Sequence, residues 1–394
     1  MSQEEILTVL NAQNRYLKDH SYRSYDLCDI TSQSYFLKMN KWCHGKAIGK
    51  YVKYPHNLLL ENFTPQLRNW YKVEKRDFAQ SNAFIVRGLI RLFHTLEDES
   101  YLHQAEQLIS RIQSQKSPGF KHACWGQPYD WFSKKVIPAF TPRTTVTSQV
   151  GRMYMDLFWI TKNDAYLREA TNIGDFFLEE MPLSYDQDGH TCYAYTTIDQ
   201  HQVHNPNMMA CGFLIDLWDA TGDAKFRERA LSAARFTFSR MNANGSWYYA
   251  NLPNNTPSKI DNYHTGYNLE GAVQLKRFLR DDFPYDQELK EAIAYYQQNL
   301  FDQAGIPKLT NTKRFPIDIQ CCAQSIITHT FLAQDSNQHM TTARELYKWT
   351  TDHMYADGSY YYRISKNGSV DQTDYIRWGD AWMFFAGSLL ISTK

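Results

Sequence analysis

No stretch of about 18 consecutive apolar residues occurs in the 394-residue chain, which excludes an ordinary transmembrane helix. The start, Met1-Ser2-Gln3-Glu4-Glu5, is acidic where a secretory signal is basic and then apolar, so the expected location is the cytoplasm. Neither charge is in excess, since 42 Lys+Arg face 42 Asp+Glu, and a chain without a global positive field is not expected to hold a nucleic-acid backbone. The seven cysteines are scattered and include no Cys-x-x-Cys pair, so reduced thiols are expected rather than a disulfide framework. His201-x-x-His204 lacks the spacing and carboxylate context of a helical zinc site, and no metal is expected. A Gly-x-Ser-x-Gly elbow, a Walker loop and a Rossmann glycine pattern are missing too. Acyl transfer, nucleotide hydrolysis and hydride chemistry thereby lose their usual marks, and no cofactor is expected.

What the chain has is aromatic residues, 15% of the total, and a repeat. Flat rings that stack on sugar faces are one use for the aromatics; core filling is the other. The repeat is a short turn, Thr95-Leu-Glu-Asp-Glu-Ser-Tyr101, Thr161-Lys-Asn-Asp-Ala-Tyr166 and Thr221-Gly-Asp-Ala-Lys-Phe226, with weaker copies at Arg280-Asp281-Asp282 and Gln334-Asp335-Ser336, at intervals of about 60 residues. The segment before each turn is apolar on nearly every side, as in Met208–Trp218, and the one after it is amphipathic. An all-apolar helix is buried and a striped one faces water, so the unit is an inner helix followed by an outer helix. Inner helices are expected to begin near Asn82, Thr147, Asn207, Thr265, Ile319 and Asp380. The sixth lacks an outer partner after it, a place the helix around Glu4–Leu17 can fill. The expected fold is all-α: one domain over residues 1–394, an (α/α)6 six-hairpin toroid closed by the N-terminal helix, with long loops and short β-hairpins at one rim. An open solenoid is the competing architecture, but it needs polar caps at both ends.

The outer-to-inner connections are long: Lys116 to Arg143, Pro182 to Asn205, Asn242 to Tyr263, Asp302 to Pro316 and Ala356 to Tyr375. They feed the N-termini of the inner helices, where free N–H groups and the positive dipole end collect, so a cleft for an anionic or hydroxyl-rich ligand belongs there. The first loop holds Trp125, Tyr129, Asp130, Trp131 and Arg143. Its aromatics and Asp are poor material for a hairpin and good material for binding sugar, with rim packing as the alternative. Asp261, Tyr263 and His264 open an inner helix, where Asp261 either caps the helix or does chemistry, and His264 is either buried filler or functional. Asp318 opens the next, with Pro316 at a first-turn position. The last loop ends in Arg377, Trp378 and Asp380; the Arg377 fork suits a carboxylate or phosphate, or neutralises Asp380.

These strings resemble the VpsJ-like proteins found with bacterial exopolysaccharide biosynthesis genes, members of the six-hairpin glycosidase-like superfamily. The resemblance runs nearly end to end. It rests on Tyr25-Asp26-Leu-Cys-Asp29, Cys124-Trp125-Gly126, Tyr129-Asp130-Trp131, Asp261-Asn262-Tyr263-His264-Thr265-Gly266, Pro316-Ile317-Asp318-Ile319 and Arg377-Trp378-Gly379. It implies the toroid and a polysaccharide, oligosaccharide or lipid-linked glycan as partner. For the reaction, glycoside hydrolysis by paired carboxylates is the simplest expectation, with Asp261 and Asp318 as the pair and Asp130 and Asp380 as further acids. A uronate-directed lyase or epimerase, with His264 or Tyr263 moving a proton and Arg377 holding the carboxylate, is the alternative. A non-catalytic glycan-binding or scaffold protein is the rival from outside the enzymes.

Overall fold

The computed structural model describes residues 1–251, 258–334 and 336–393; Asp335 of the last repeat lies outside them. In chain order the helices are α1 (Gln3–Asp19), α2 (Ser34–Cys43), α3 (Gly49–Tyr71), α4 (Ala79–Leu96), α5 (Glu99–Gln113), α6 (Thr144–Thr161), α7 (Asp164–Glu179), α8 (His204–Thr221), α9 (Ala224–Phe238), α10 (Asn262–Leu279), α11 (Asp286–Asn299), α12 (Ile319–Leu332), α13 (Asn337–Met354) and α14 (Ala381–Ser392). The six inner segments read from the sequence become α4, α6, α8, α10, α12 and α14. Each packs on the next, and α14 returns to pack on α4, which closes the ring and excludes the open solenoid.

The turns of the repeat work through local capping. The side chains of Asp98, Asn163, Asp223 and Ser336 each accept the backbone N–H two residues ahead, starting α5, α7, α9 and α13. Such a cap is worth about 1 kcal/mol. The Arg280–Asp282 copy forms a 3-10 turn instead, and α11 starts without a side-chain cap. Close approach of the inner helices depends on small residues. A Cβ on Gly271 of α10 would lie 2.4 Å from the Met208 carbonyl oxygen of α8, and one on Gly88 of α4 would meet Phe384 of α14 at 2.7 Å.

On the other side of α14, α1 lies along its length: Gln3 donates to the Ile391 carbonyl, Gln13 donates to the Asp380 carbonyl, and Asn14 exchanges two hydrogen bonds with Gln104 of α5. Helices α2 and α3 form an additional hairpin that the periodicity did not reveal, with a small core of its own around Ile30, Phe36 and Leu67.

Short antiparallel strands decorate the rim at which the inner helices begin. They are β1 (Trp131–Phe132) with β2 (Val136–Ile137), β3 (Leu183–Tyr185) with β4 (Thr191–Tyr193), β5 (Ile317–Asp318) with β8 (Arg363–Ile364) and β9 (Val370–Asp371), and β6 (Tyr355–Ala356) with β7 (Ser359–Tyr360). Two local expectations are corrected. Trp131 and Phe132 do build a hairpin, because cross-strand pairing with Ile137 and Val136 suits aromatic side chains. Pro316 does not start α12; it precedes β5 through a cis Phe315–Pro316 bond, and α12 begins only at Ile319.

Candidate functional site

Asp261 sits at the N-cap of α10, its backbone extended and bridged to Thr310. Its Oδ1 accepts the His264 N–H at 3.0 Å, and both carboxylate oxygens lie 2.8 Å from His264 Nδ1. Lys259 Nζ approaches the other side at 3.0 Å. Burial alone would raise the Asp261 pKa, but the His264 and Lys259 charges and hydrogen bonds outweigh it and bring it down to about 2. The carboxylate is therefore ionised at neutral pH and can only accept. The Nδ1 position of His264 must carry the proton, which leaves Nε2 as the basic nitrogen whenever the ring is neutral.

Around His264 stand Tyr249, with ring centroids 4.5 Å apart, and Tyr263, at 4.1 Å; Trp378 meets Tyr263 edge-on at 6.1 Å. The side chain of His264 keeps 17% of its surface open. Burial, with Tyr195 and Asp261 nearby, holds the Tyr249 hydroxyl well above the usual phenol range; burial, with Asp261 and Asp318, does the same to Tyr263. Both stay protonated, so they serve as hydrogen-bond donors rather than bases.

Tyr249 also lines a groove of about 560 Å³ whose other walls include Trp131, Tyr195, Gln200, Gln202 and Asn251. Arg143, just ahead of α6, spreads its guanidinium over Trp131 at 4.4 Å and Tyr195 at 5.3 Å. Its Nε is buried without a hydrogen-bond partner, and no acidic side chain pairs with it among the described residues. Below this mouth the toroid is filled. Tyr267 accepts from Gln320 and Trp382, and one turn down Arg152 pairs with Glu270, which also accepts from Gln324. Arg87 bridges Gln149 and Asp156 beside them. The cleft is consequently open at one end.

The structure thus brings Asp261, Tyr263, His264 and Trp378 together, with Trp131 in the wall of the adjoining groove and Arg143 stacked on Trp131 and Tyr195. It places the other candidates in different work. Trp125 is fully buried and donates its indole N–H to the Ile112 carbonyl, so its ring packs in the core. Asp130 is exposed and accepts the Ala139 N–H, tying together the base of the β1–β2 hairpin. Tyr129 is buried, its hydroxyl donating to Asp26. Asp318 caps α12 through the Gln320 N–H and spends its other oxygen on Arg363 Nε at 2.7 Å. Arg377 pairs with Asp26, neither with Asp380 nor with open space. Asp380 is wholly buried, accepting the Tyr360 N–H at 2.8 Å and the Ser359 hydroxyl at 3.1 Å. Burial pushes its pKa up to about 7.

Sequence reasoning missed Tyr195, Tyr249, Lys259 and Arg363. Only Tyr249 carried a signal, its place in the aromatic string Trp247-Tyr248-Tyr249. Asp186, Asp188 and His190 gather closely enough to hold a metal ion, but Asp186 already accepts two backbone N–H groups, His190 Nδ1 and Arg240 in the β3–β4 turn. His204 is buried, and desolvation drives its pKa down to about 3.

No family model matches the sequence, and no curated protein matches it. Solved structures do. Cellobiose 2-epimerase from Bacillus thermoamylovorans superposes with a TM-score of 0.63 at 10% identity, covering 82% of this chain and 90% of that one. A GH76 α-mannanase from Bacteroides thetaiotaomicron gives 0.62 at 11% identity, over 79% and 86%. A polysaccharide lyase gives 0.57 at 12% identity, over 83% and 94%. At such identities the likeness is one of architecture. The closed ring of inner helices and these superpositions together show that the chain has the (α/α)6 toroid fold.

Proposed function

We propose that this protein is a carbohydrate-active enzyme in which His264 moves a proton on a sugar bound at the mouth of the toroid. The observation that carries the reading is the Asp261–His264 dyad. An ionised carboxylate fixes the tautomer and orientation of an imidazole beside aromatic walls, an arrangement suited to general base chemistry. Trp131, Tyr195 and Tyr249 offer ring faces for the sugar, and the protonated Tyr249 and Tyr263 hydroxyls supply donors for a sugar oxygen. Arg143, a cation without an acidic partner among the described residues, supplies the contact for a carboxylate or phosphate on the substrate. It takes the role that Arg377 gives up to Asp26.

This geometry favours epimerisation, isomerisation or elimination over hydrolysis by an Asp261/Asp318 pair. Hydrolysis needs one carboxyl group free to protonate the leaving oxygen and another free to attack or activate water. Here both are buried and both are occupied by caps and cations. The structural neighbours include an epimerase and a lyase alongside a mannanase, in keeping with any of these chemistries on this fold. The setting we infer from the loop strings is bacterial exopolysaccharide or capsule biosynthesis, with an oligosaccharide or lipid-linked glycan as substrate in the cytoplasm. Among the described residues, no helix is long and apolar enough to cross a membrane.

The test is incubation with bacterial glycans and glycan precursors in ordinary and deuterated water, followed by mass spectrometry and ultraviolet absorbance. Deuterium uptake without cleavage, or an absorbing unsaturated product, supports His264-dependent proton transfer. Cleavage with addition of water and no exchange supports hydrolysis instead. Saturable binding without turnover, unchanged in His264→Gln, identifies a binding module.

A further inference from the structure

The α2–α3 hairpin uses one face to pack and leaves another bare. Its inward side chains, Phe36 and Leu67, join Ile30 in a small core, so the hairpin's folding needs are met there. Yet seven of the eleven large apolar side chains left exposed among the described residues lie between Tyr35 and Trp70. Those at the tip are Trp42, Ile48, Tyr51 and Tyr54, 52%, 55%, 69% and 66% exposed. Scattered single exposures need no explanation, but a concentration of this kind marks an interaction surface.

The same segment is basic in a chain that is neutral overall. Residues 34–72 hold six Lys against one Glu, besides Arg68, which is buried and paired with Asp29. Lys38 shares a face of α2 with Tyr35 and Trp42, three and four residues away. Lys46 lies over the Trp42 ring at 4.0 Å, and Lys53 over Phe132 of β1 at 5.9 Å. His44 also meets Phe132, at 5.6 Å, so the tip is seated on the β1–β2 hairpin whose Trp131 and Ser133 wall the groove. Lys134 and Lys135 in that hairpin's turn are exposed and extend the positive surface.

We infer that the α2–α3 tip docks on an anionic lipid surface. Tryptophan and tyrosine rings with one apolar and one polar end settle at headgroup depth, and adjacent lysines gain from lipid phosphates. Charge complementarity selects this occupant over a second copy of the chain, which would bring an equally basic patch. Docked in this way, the wall of the groove formed by the β1–β2 hairpin lies beside the headgroup layer. The inference is independent of the His264 chemistry, since vesicle binding is read without turnover.

The experiment is co-sedimentation of the full chain with vesicles of phosphatidylcholine alone and of phosphatidylcholine with phosphatidylglycerol. The expected result is binding to the anionic vesicles only, weakened by salt. Binding should fall on the order of a hundredfold in a Lys38→Glu/Lys41→Glu/Lys46→Glu variant. It should also be lost in Trp42→Ser/Ile48→Ser/Tyr54→Ser. Circular dichroism checks the fold of each variant, and a milder Lys38→Gln/Lys41→Gln/Lys46→Gln set takes the place of the charge reversal if that disturbs folding. The inference is overturned if the parent ignores anionic vesicles or binds neutral ones equally well. It is also overturned if folded variants bind within about twofold of the parent, or if the patch captures an acidic protein while vesicles are left unbound.

Discussion

Arg377 and Asp26, 351 residues apart in the chain, form a buried ion pair that ties the turn after α1 to the entry of the last inner helix. Tyr129 donates to the other oxygen of Asp26 at 2.6 Å, and the Cys28 N–H to the same oxygen at 2.8 Å. Replacing Arg377 by Met strands a carboxylate in a site that is 2% exposed. The expected loss is about 3–5 kcal/mol in urea unfolding, with part recovered in Asp26→Asn/Arg377→Met. A loss under about 1 kcal/mol would show that the pair does not hold these ends together.

His264→Gln is expected to reduce turnover by roughly a hundredfold or more while leaving the melting temperature close to that of the parent. Asp261→Asn keeps a capping oxygen but removes the charge that orients the imidazole, so kcat should fall there too, with KM little changed. Parent-like activity in both variants would remove the dyad from the mechanism.

Arg143→Met should raise KM for substrates bearing a carboxylate or phosphate by about tenfold and leave neutral sugars unaffected. Parallel loss on both substrate types would point to misplacement of Trp131 and Tyr195 instead.

Two buried carboxyl groups make stability depend on pH in opposite directions. The native pKa of Asp261, about 2, lies below its ordinary 3.8, so its contribution is full above pH 3.8 and lost as pH falls toward 2; its size is about 2 kcal/mol. Asp380, raised to about 7 by burial, takes up a proton more readily when folded, so stability falls as pH rises from 3.8 to 7. Asp380→Asn should flatten that decline and be more stable than the parent at pH 8, as followed by thermal melts across the range. A parent-like slope in the variant would mean that Asp380 is not the titrating group.

Gly271→Ala places a methyl group 2.4 Å from the Met208 carbonyl oxygen, with the α8 backbone in the way. A loss of about 3 kcal/mol is expected from forcing α8 and α10 apart. A neutral substitution, measured by chemical denaturation, would mean that the helices separate freely.

The ring of six inner helices was legible because its signals are local. An apolar-all-round helix such as α8, an amphipathic one such as α9, and the Asp223 cap between them all lie within a span of about 35 residues, where hydrophobic period and capping chemistry dictate the element. Hairpin α2–α3 was not legible, since its kink at Phe63 and the exposed Trp42 and Tyr54 break the pattern that a core-facing helix must show.

By itself the sequence determined the alternation of buried and striped helices, the position of the long loops at the inner-helix N-termini, and the proximity of Asp261 to His264, which lie within one helical turn. Only the tertiary structure decided which of the candidate groups are free to act. Asp318, Arg377 and Asp380 read as reactive because a sequence shows a charge and not its partner. Folding brings Arg363, Asp26 and Tyr360 to them from 45, 351 and 20 residues away. A buried charge must be paired or hydrogen-bonded to be tolerated, and those partners, chosen by the closing of the ring, separate the groups that hold the toroid together from those left facing its mouth.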